Sequence, residues 1–123
     1  MKNDKYCASC GRIIELRKMT EKNWEQMKYC SSSCRIEKLE KSKMGILLEK
    51  EIINQLQERG PQKTICPSEV VRKLFPENWH DKMEEVRRAA RRLVHKKIII
   101  ITQQNREVDI NAKGPIRLKL KAP

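Results

Sequence analysis

Four cysteines carry the clearest chemistry in this sequence. Cys7 and Cys10 form a C-x2-C pair, Cys30 and Cys34 a C-x3-C pair, and 19 residues lie between them. A C-x2-C turn lets two thiolates reach one ion, and two such pairs supply the four soft ligands of a tetrahedral Zn2+. Gly11 suits the tight turn after Cys10. Any of Ser31, Ser32 and Ser33 can cap a short helix holding Cys34, which sets that thiolate at the positive end of the peptide dipoles. Four sulfurs fill the coordination sphere and leave no place for an activated water, so the zinc is expected to be structural. Four cysteines alone also admit an iron–sulfur cluster, or unligated redox thiols. The fifth, Cys66, follows Ile65 at the edge of a helix and reads as a small buried hydrophobe, with a reactive thiol as the alternative.

A second constellation spans residues 80–96, HDKMEEVRRAARRLVHK. Met83, Val86, Ala90, Leu93 and Val94 fall at helical spacing and predict one buried stripe. Another face gathers Arg87, Arg88, Arg91, Arg92 and His95. Asp81 with Glu84 has the spacing of a capping box. The β-rich run Ile98 to Thr102 follows almost at once. A helix with this order of faces, feeding a hairpin, predicts a recognition helix with a wing, in which the helix lies in the major groove and the wing touches the backbone. The candidate nucleic-acid contacts are Arg87, Arg88, Arg91, Arg92 and Lys96 on the helix and Arg106 on the wing. The plainer reading is a solvated basic face, partly paired with Glu84 and Glu85.

The remaining elements would position these two groups. Arg12 to Leu16 reads as hairpin strand, with Trp24 and Tyr29 packed on the metal knuckles, base stacking by Trp24 being the alternative, and Arg12, Arg17, Lys18, Lys22 and Lys28 making the finger basic. Arg35 to Lys43 reads as the finger's helix running into a linker, with Ser42 and Gly45 at a break or inside a continuous helix. Ile46, Leu47, Ile52, Ile53 and Leu56 mark an amphipathic helix ended by Gly60-Pro61. A small strand is expected within residues 62–66. A helix follows from Ser68, its N-cap, to Phe75. After the 80–96 helix comes a hairpin of residues 98–102 and 106–110, with Asn105 in the turn. Ile116, Leu118 and Leu120 then alternate with Arg117, Lys119 and Lys121, as in a final strand or a loop across the domain. The fold expected is α+β: a small treble-clef-like four-cysteine zinc finger over 1–43, then a winged helix-turn-helix domain over 44–123.

Composition limits the function. The chain has 123 residues and a formal net charge of +12. That excess favours polyanions, DNA more than RNA because of the arginine helix, through phosphate contacts and counterion release. An adaptor for an acidic protein partner is the alternative. No apolar run is long enough to span a membrane, and the first ten residues lack a signal peptide's apolar core. A cytoplasmic location is expected, where paired cysteines bind metal in preference to forming disulfides. His80 and His95 lie too far apart on one helix to share an ion. Neither a nucleophile–base pair nor a glycine-rich phosphate loop appears, so no enzyme is expected.

Two strings extend the reading. Cys7-x2-Cys10-Gly11-Arg12, Trp24 and Tyr29-Cys30-Ser31-Ser32-Ser33-Cys34-Arg35 resemble the DUF2256 family. Cys66-Pro67-Ser68-Glu69-Val70, Val86 to Ala90, Ile100 to Gln103, Val108-Asp109 and Lys113 to Leu118 resemble the DUF3253 family. The resemblance implies a zinc-finger segment joined to a winged-helix-like domain and transfers no activity or partner. It draws attention to Cys66 to Glu69 and to Lys113 to Arg117, with Arg117 expected to pair with Glu69 or Asp109.

Overall fold

Cysteine spacing and helix periodicity become geometry in a computed structural model, which describes residues 5–14 and 21–122. The Leu16 end of the expected strand, Arg17 and Lys18 lie outside the described residues. Strands β1 (Lys5–Tyr6) and β2 (Ile13–Ile14) pair antiparallel and hold the first cysteine pair between them. A 3-10 turn, Glu21–Gln26, leads to helix α1 (Ser32–Glu37). Ser31 is its cap, accepting from the Cys34 N–H at 3.2 Å. Lys38 takes a left-handed conformation and ends α1, and a 3-10 turn, Leu39–Lys41, follows.

Helix α2 (Lys43–Arg59) starts where Ser42 accepts from the Gly45 N–H at 2.9 Å. Gly45 lies inside this helix, and a Cβ there would stand 1.9 Å from the Leu39 carbonyl oxygen. Strand β3 (Thr64–Ile65) and helix α3 (Pro67–Leu74) come next. The cap of α3 is Cys66 rather than Ser68: Pro67 occupies the first helical position, and the Glu69 carboxylate reaches back to the Cys66 N–H at 2.8 Å. Pro at that position is preorganised for a helix start and loses no bond.

A 3-10 turn, Trp79–Lys82, precedes helix α4 (Met83–His95). The capping box expected of Asp81 and Glu84 is therefore displaced, and α4 begins without a side-chain cap. Strands β4 (Ile99–Gln103) and β5 (Arg106–Val108) form the expected hairpin. Its two turn residues, Gln104 and Asn105, both have positive φ, the conformation that matches the twist of a two-residue hairpin. Strand β6 (Arg117–Leu120) runs back between β3 and β4, giving the order β3-β6-β4-β5.

Two apolar clusters result. The larger joins Leu48, Ile52 and Leu56 of α2, Val70 and Val71 of α3, Val86, Ala90 and Leu93 of α4, and Ile99, Ile101 and Leu118 of the sheet. The smaller joins Cys7, Cys10, Ile14 and Cys34, with Trp24, Met27 and Tyr29 against it. So small a cluster buries little, and cannot hold its segment without a further constraint. Among the described residues, no helix is long and apolar enough to cross a membrane.

Candidate metal centre

The sulfurs of Cys7, Cys10, Cys30 and Cys34 all lie within 4.8 Å of one another. Cys10 Sγ and Cys34 Sγ each stand 3.7 Å from Cys30 Sγ. That is far beyond the bond length of a disulfide, about 2.05 Å. Cys7, Cys10 and Cys34 are buried and Cys30 is exposed. The knuckle is closed by backbone bonds, from Cys7 N–H to Arg12 O at 2.7 Å and from Gly11 N–H to Cys7 O at 2.9 Å. Gly11 has φ of +80°. The four cysteines form one site able to take a metal ion.

Their protons are held unequally. The side chain of Cys10, against the opposing effect of burial, pulls the Cys7 thiol down to about 4. Cys10 is pushed up by the same bond to Cys7 and by burial. Burial also pushes Cys30 up. Four thiolates at this spacing repel one another, and a divalent cation removes the conflict by binding the ionised form.

Helix α4 holds this knuckle from beneath. Arg92 Nη1 donates to Ser9 O at 2.6 Å, Arg91 Nε to Cys10 O at 2.7 Å, and His95 Nε2 to Gly11 O at 2.7 Å. Three consecutive carbonyls thus accept from side chains on one face of α4, since residues three and four apart share a face. Tyr6 stacks on His95 with ring centroids 3.8 Å apart. The Ser9 hydroxyl accepts from Leu39 N–H at 3.0 Å. Arg92 also donates to Glu49 Oε2 at 2.6 Å and to Gly45 O at 3.3 Å, while Arg91 donates to Glu84 Oε2 at 2.9 Å.

This corrects the expected exposure of the arginine face. Arg91 and Arg92 are only 5% and 2% exposed, and their donors are committed to the knuckle, to Glu49 and to Glu84. Lys96 is exposed but pairs with Glu49 at 2.8 Å. Arg88 lies within 3.4–3.8 Å of Glu84, Glu85 and Glu37, the last on α1. Arg87 is half-buried and donates to Gly114 O at 3.3 Å. Arg106 is exposed beside the hairpin turn and, among the described residues, forms no ion pair.

Sequence reasoning missed the anchoring role of Arg91, Arg92 and His95. A signal existed in Ala89 and Ala90, both fully buried beside Val86 and Leu93. Small side chains spread over that much of a helix suit close packing on more than one side. Cys66, expected as a buried hydrophobe, is half-buried and accepts from the Ser68 hydroxyl at 3.1 Å. Arg117 does approach Glu69, at 3.9 Å.

Comparison with known families agrees with the two strings. Residues 46–121 match the family described as "Protein of unknown function (DUF3253)". Residues 1–37 match "Uncharacterized protein conserved in bacteria (DUF2256)". No curated protein matches the chain.

Proposed function

The chain belongs to the DUF3253 family, and we propose from its own geometry that it is a non-enzymatic, zinc-stabilised nucleic-acid-binding protein. Zinc is favoured by the donor set and its spacing. A Zn–S bond of about 2.3 Å gives a tetrahedral S–S edge of about 3.8 Å, beside the 3.7 Å separations at Cys30. Four thiolates leave no open position, so the metal holds structure and activates nothing. The small segment around it is a treble-clef-like finger: knuckle, hairpin, then helix. The order α2-β3-α3-α4-β4-β5 supports a winged helix-turn-helix, with β6 added between β3 and β4.

One observation carries the binding reading. The cations left without an ion pair among the described residues include Arg87, Arg106 and Lys113, and these line two clefts on the wing side that share Lys113. The one carboxylate lining either cleft, Glu84, is held by Arg91 and Arg88. Duplex DNA is the substrate this suits first, with the wing side on the backbone and α4 not inserted. The test is titration of zinc-loaded protein into duplex DNA, single-stranded DNA and structured RNA over a range of salt. Each phosphate contact contributes about −0.9 to the log–log salt slope on duplex. Arg87→Glu with Lys113→Glu should flatten that slope by about 2 while circular dichroism and metal content stay unchanged. Binding no stronger than that of an unrelated basic protein would overturn the reading. The rival, an adaptor for an acidic protein, is favoured by exposed Ile36, Ile46 and Leu47, and a protein pull-down tests it.

A further inference from the structure

The larger of the two wing-side clefts has a volume of about 660 Å3 and is lined in part by Cys66, Thr102, Gln103, Arg106, Lys113 and Arg117. No carboxylate lines it. Arg106 and Lys113 have no ion pair among the described residues. Arg117 is fixed by Thr64, its Nε donating to Oγ1 at 2.6 Å and its Nη2 to the carbonyl at 3.3 Å. Glu69 is shared between Arg117 and Arg59 and also receives the Cys66 N–H, and Glu107 stands across from Thr102 in the β4–β5 register without lining the cleft. One carboxylate between two guanidiniums leaves this corner positive.

The loop that carries Lys113 is braced for an anion. Gln103 Nε2 donates to Lys113 O at 2.7 Å and to Pro115 O at 3.0 Å, and Arg87 Nη2 donates to Gly114 O at 3.3 Å. Three successive carbonyl oxygens, which would repel a phosphate, are therefore occupied. Lys113 lines both clefts. The strings Cys66 to Glu69 and Lys113 to Leu118, far apart in the sequence, meet at this one cleft.

We propose that this cleft is a phosphate seat, in which Arg106, Lys113 and Arg117 bind the phosphoryl oxygens of a phosphate group. Arginine forks and a lysine point charge match that ligand, and the volume falls in the range of small-ligand clefts. The seat rests on the nucleic-acid reading only for the source of its phosphate, which is the DNA backbone.

Cys66 gives a reporter that no metal ligand confuses. The zinc-loaded chain is alkylated with iodoacetamide, and the rate is read at Cys66 alone by peptide mass mapping. One arm adds a short DNA duplex, one adds inorganic phosphate, and one adds chloride at matched ionic strength. Duplex at ten times its dissociation constant should slow Cys66 alkylation about tenfold, by the occupancy relation. Protection by duplex assigns the phosphate to the backbone. Protection by inorganic phosphate with no duplex binding keeps the seat and removes the nucleic-acid reading. Duplex that binds but gives no protection, with none from phosphate, overturns the seat and leaves that reading standing. Arg106→Glu with Lys113→Glu, both exposed positions, should abolish protection at unchanged metal content and circular dichroism. Protection that persists in this variant also overturns the seat.

Discussion

Gly11 lies so close to α4 that a Cβ built on it would stand 2.3 Å from the Cβ of Arg91. The knuckle and the helix therefore meet backbone to backbone, with the carbonyls of residues 9–11 over the polar face of α4. Gly11→Ala meets two obstacles. Its φ of +80° is left-handed, a conformation costing about 1–2 kcal/mol for an L side chain. Overpacking against α4 adds about 1–3 kcal/mol. Thermal unfolding should show a loss of about 2–5 kcal/mol, and competition with a chelator should show weaker metal retention. An unchanged melting temperature would mean that the knuckle does not dock as described.

Arg92 sits between Glu49, Ser9 and Gly45 at 2% exposure. Removing one member of a buried ionic network costs about 3–5 kcal/mol, because the partners stay behind without their donor. Arg92→Ala should lower the unfolding free energy obtained from urea melts by that amount. Lys96→Ala removes the exposed partner of the same carboxylate, and should cost about 1 kcal/mol or less. Weakened nucleic-acid binding in Arg91 or Arg92 variants would therefore report unfolding, and urea melts run beside the titrations separate the two causes.

The difference between expectation and structure lies in what periodicity can encode. Helical spacing tells which residues share a face, and it found the stripe of Val86, Ala90 and Leu93. It carries no information on what stands opposite the other face. The knuckle carbonyls that Arg91, Arg92 and His95 hold lie 81, 83 and 84 residues away. The cysteine pairs were legible because ligand spacing is a local property, and the β4–β5 hairpin because Asn105 tolerates positive φ. The start of α3 was misplaced at Ser68 because Pro67 takes the first helical position and shifts the cap to Cys66. The placement of β6 between β3 and β4 depends on long-range pairing that alternation in Ile116 to Leu120 does not specify.

Tyr29 offers a pH signature for the finger. Its hydroxyl donates to Glu40 Oε2 at 2.6 Å. That bond, with burial and the Glu40 charge adding to it, pushes the phenol up to about 12. A folded-state value above the unfolded one, about 10, means the fold favours the protonated phenol. The stabilisation is complete below pH of about 10 and is lost as pH rises through about 12. Ultraviolet titration of phenolate in a Tyr6→Phe background should show late ionisation, and Glu40→Gln should bring it earlier. Ionisation at the ordinary value in both proteins would show that the hydroxyl and Glu40 are apart in solution.

Metal removal should act on the knuckle and spare the larger core. The smaller cluster rests on four cysteines and a few flanking residues, whereas α2, α3, α4 and the sheet share a separate core. On chelation, hydrogen exchange should lose protection at the amides of residues 7–11 and 32–38 and keep it in α2, α4 and β4. The melting temperature should fall, since metal bound only by the native state contributes its binding energy to folding. With the knuckle released, Arg91 and Arg92 face water, and Glu84 and Glu49 neutralise them less well in high dielectric. Two added phosphate contacts steepen the log–log salt slope on duplex DNA by about 2. The metal-free protein is thus expected to hold polyanions with more salt sensitivity than the metal-loaded one, the reverse of a finger that itself contacts the nucleic acid. An equal slope in both forms, with protection lost at residues 7–11, would mean that Glu49 and Glu84 keep the two arginines even without the knuckle.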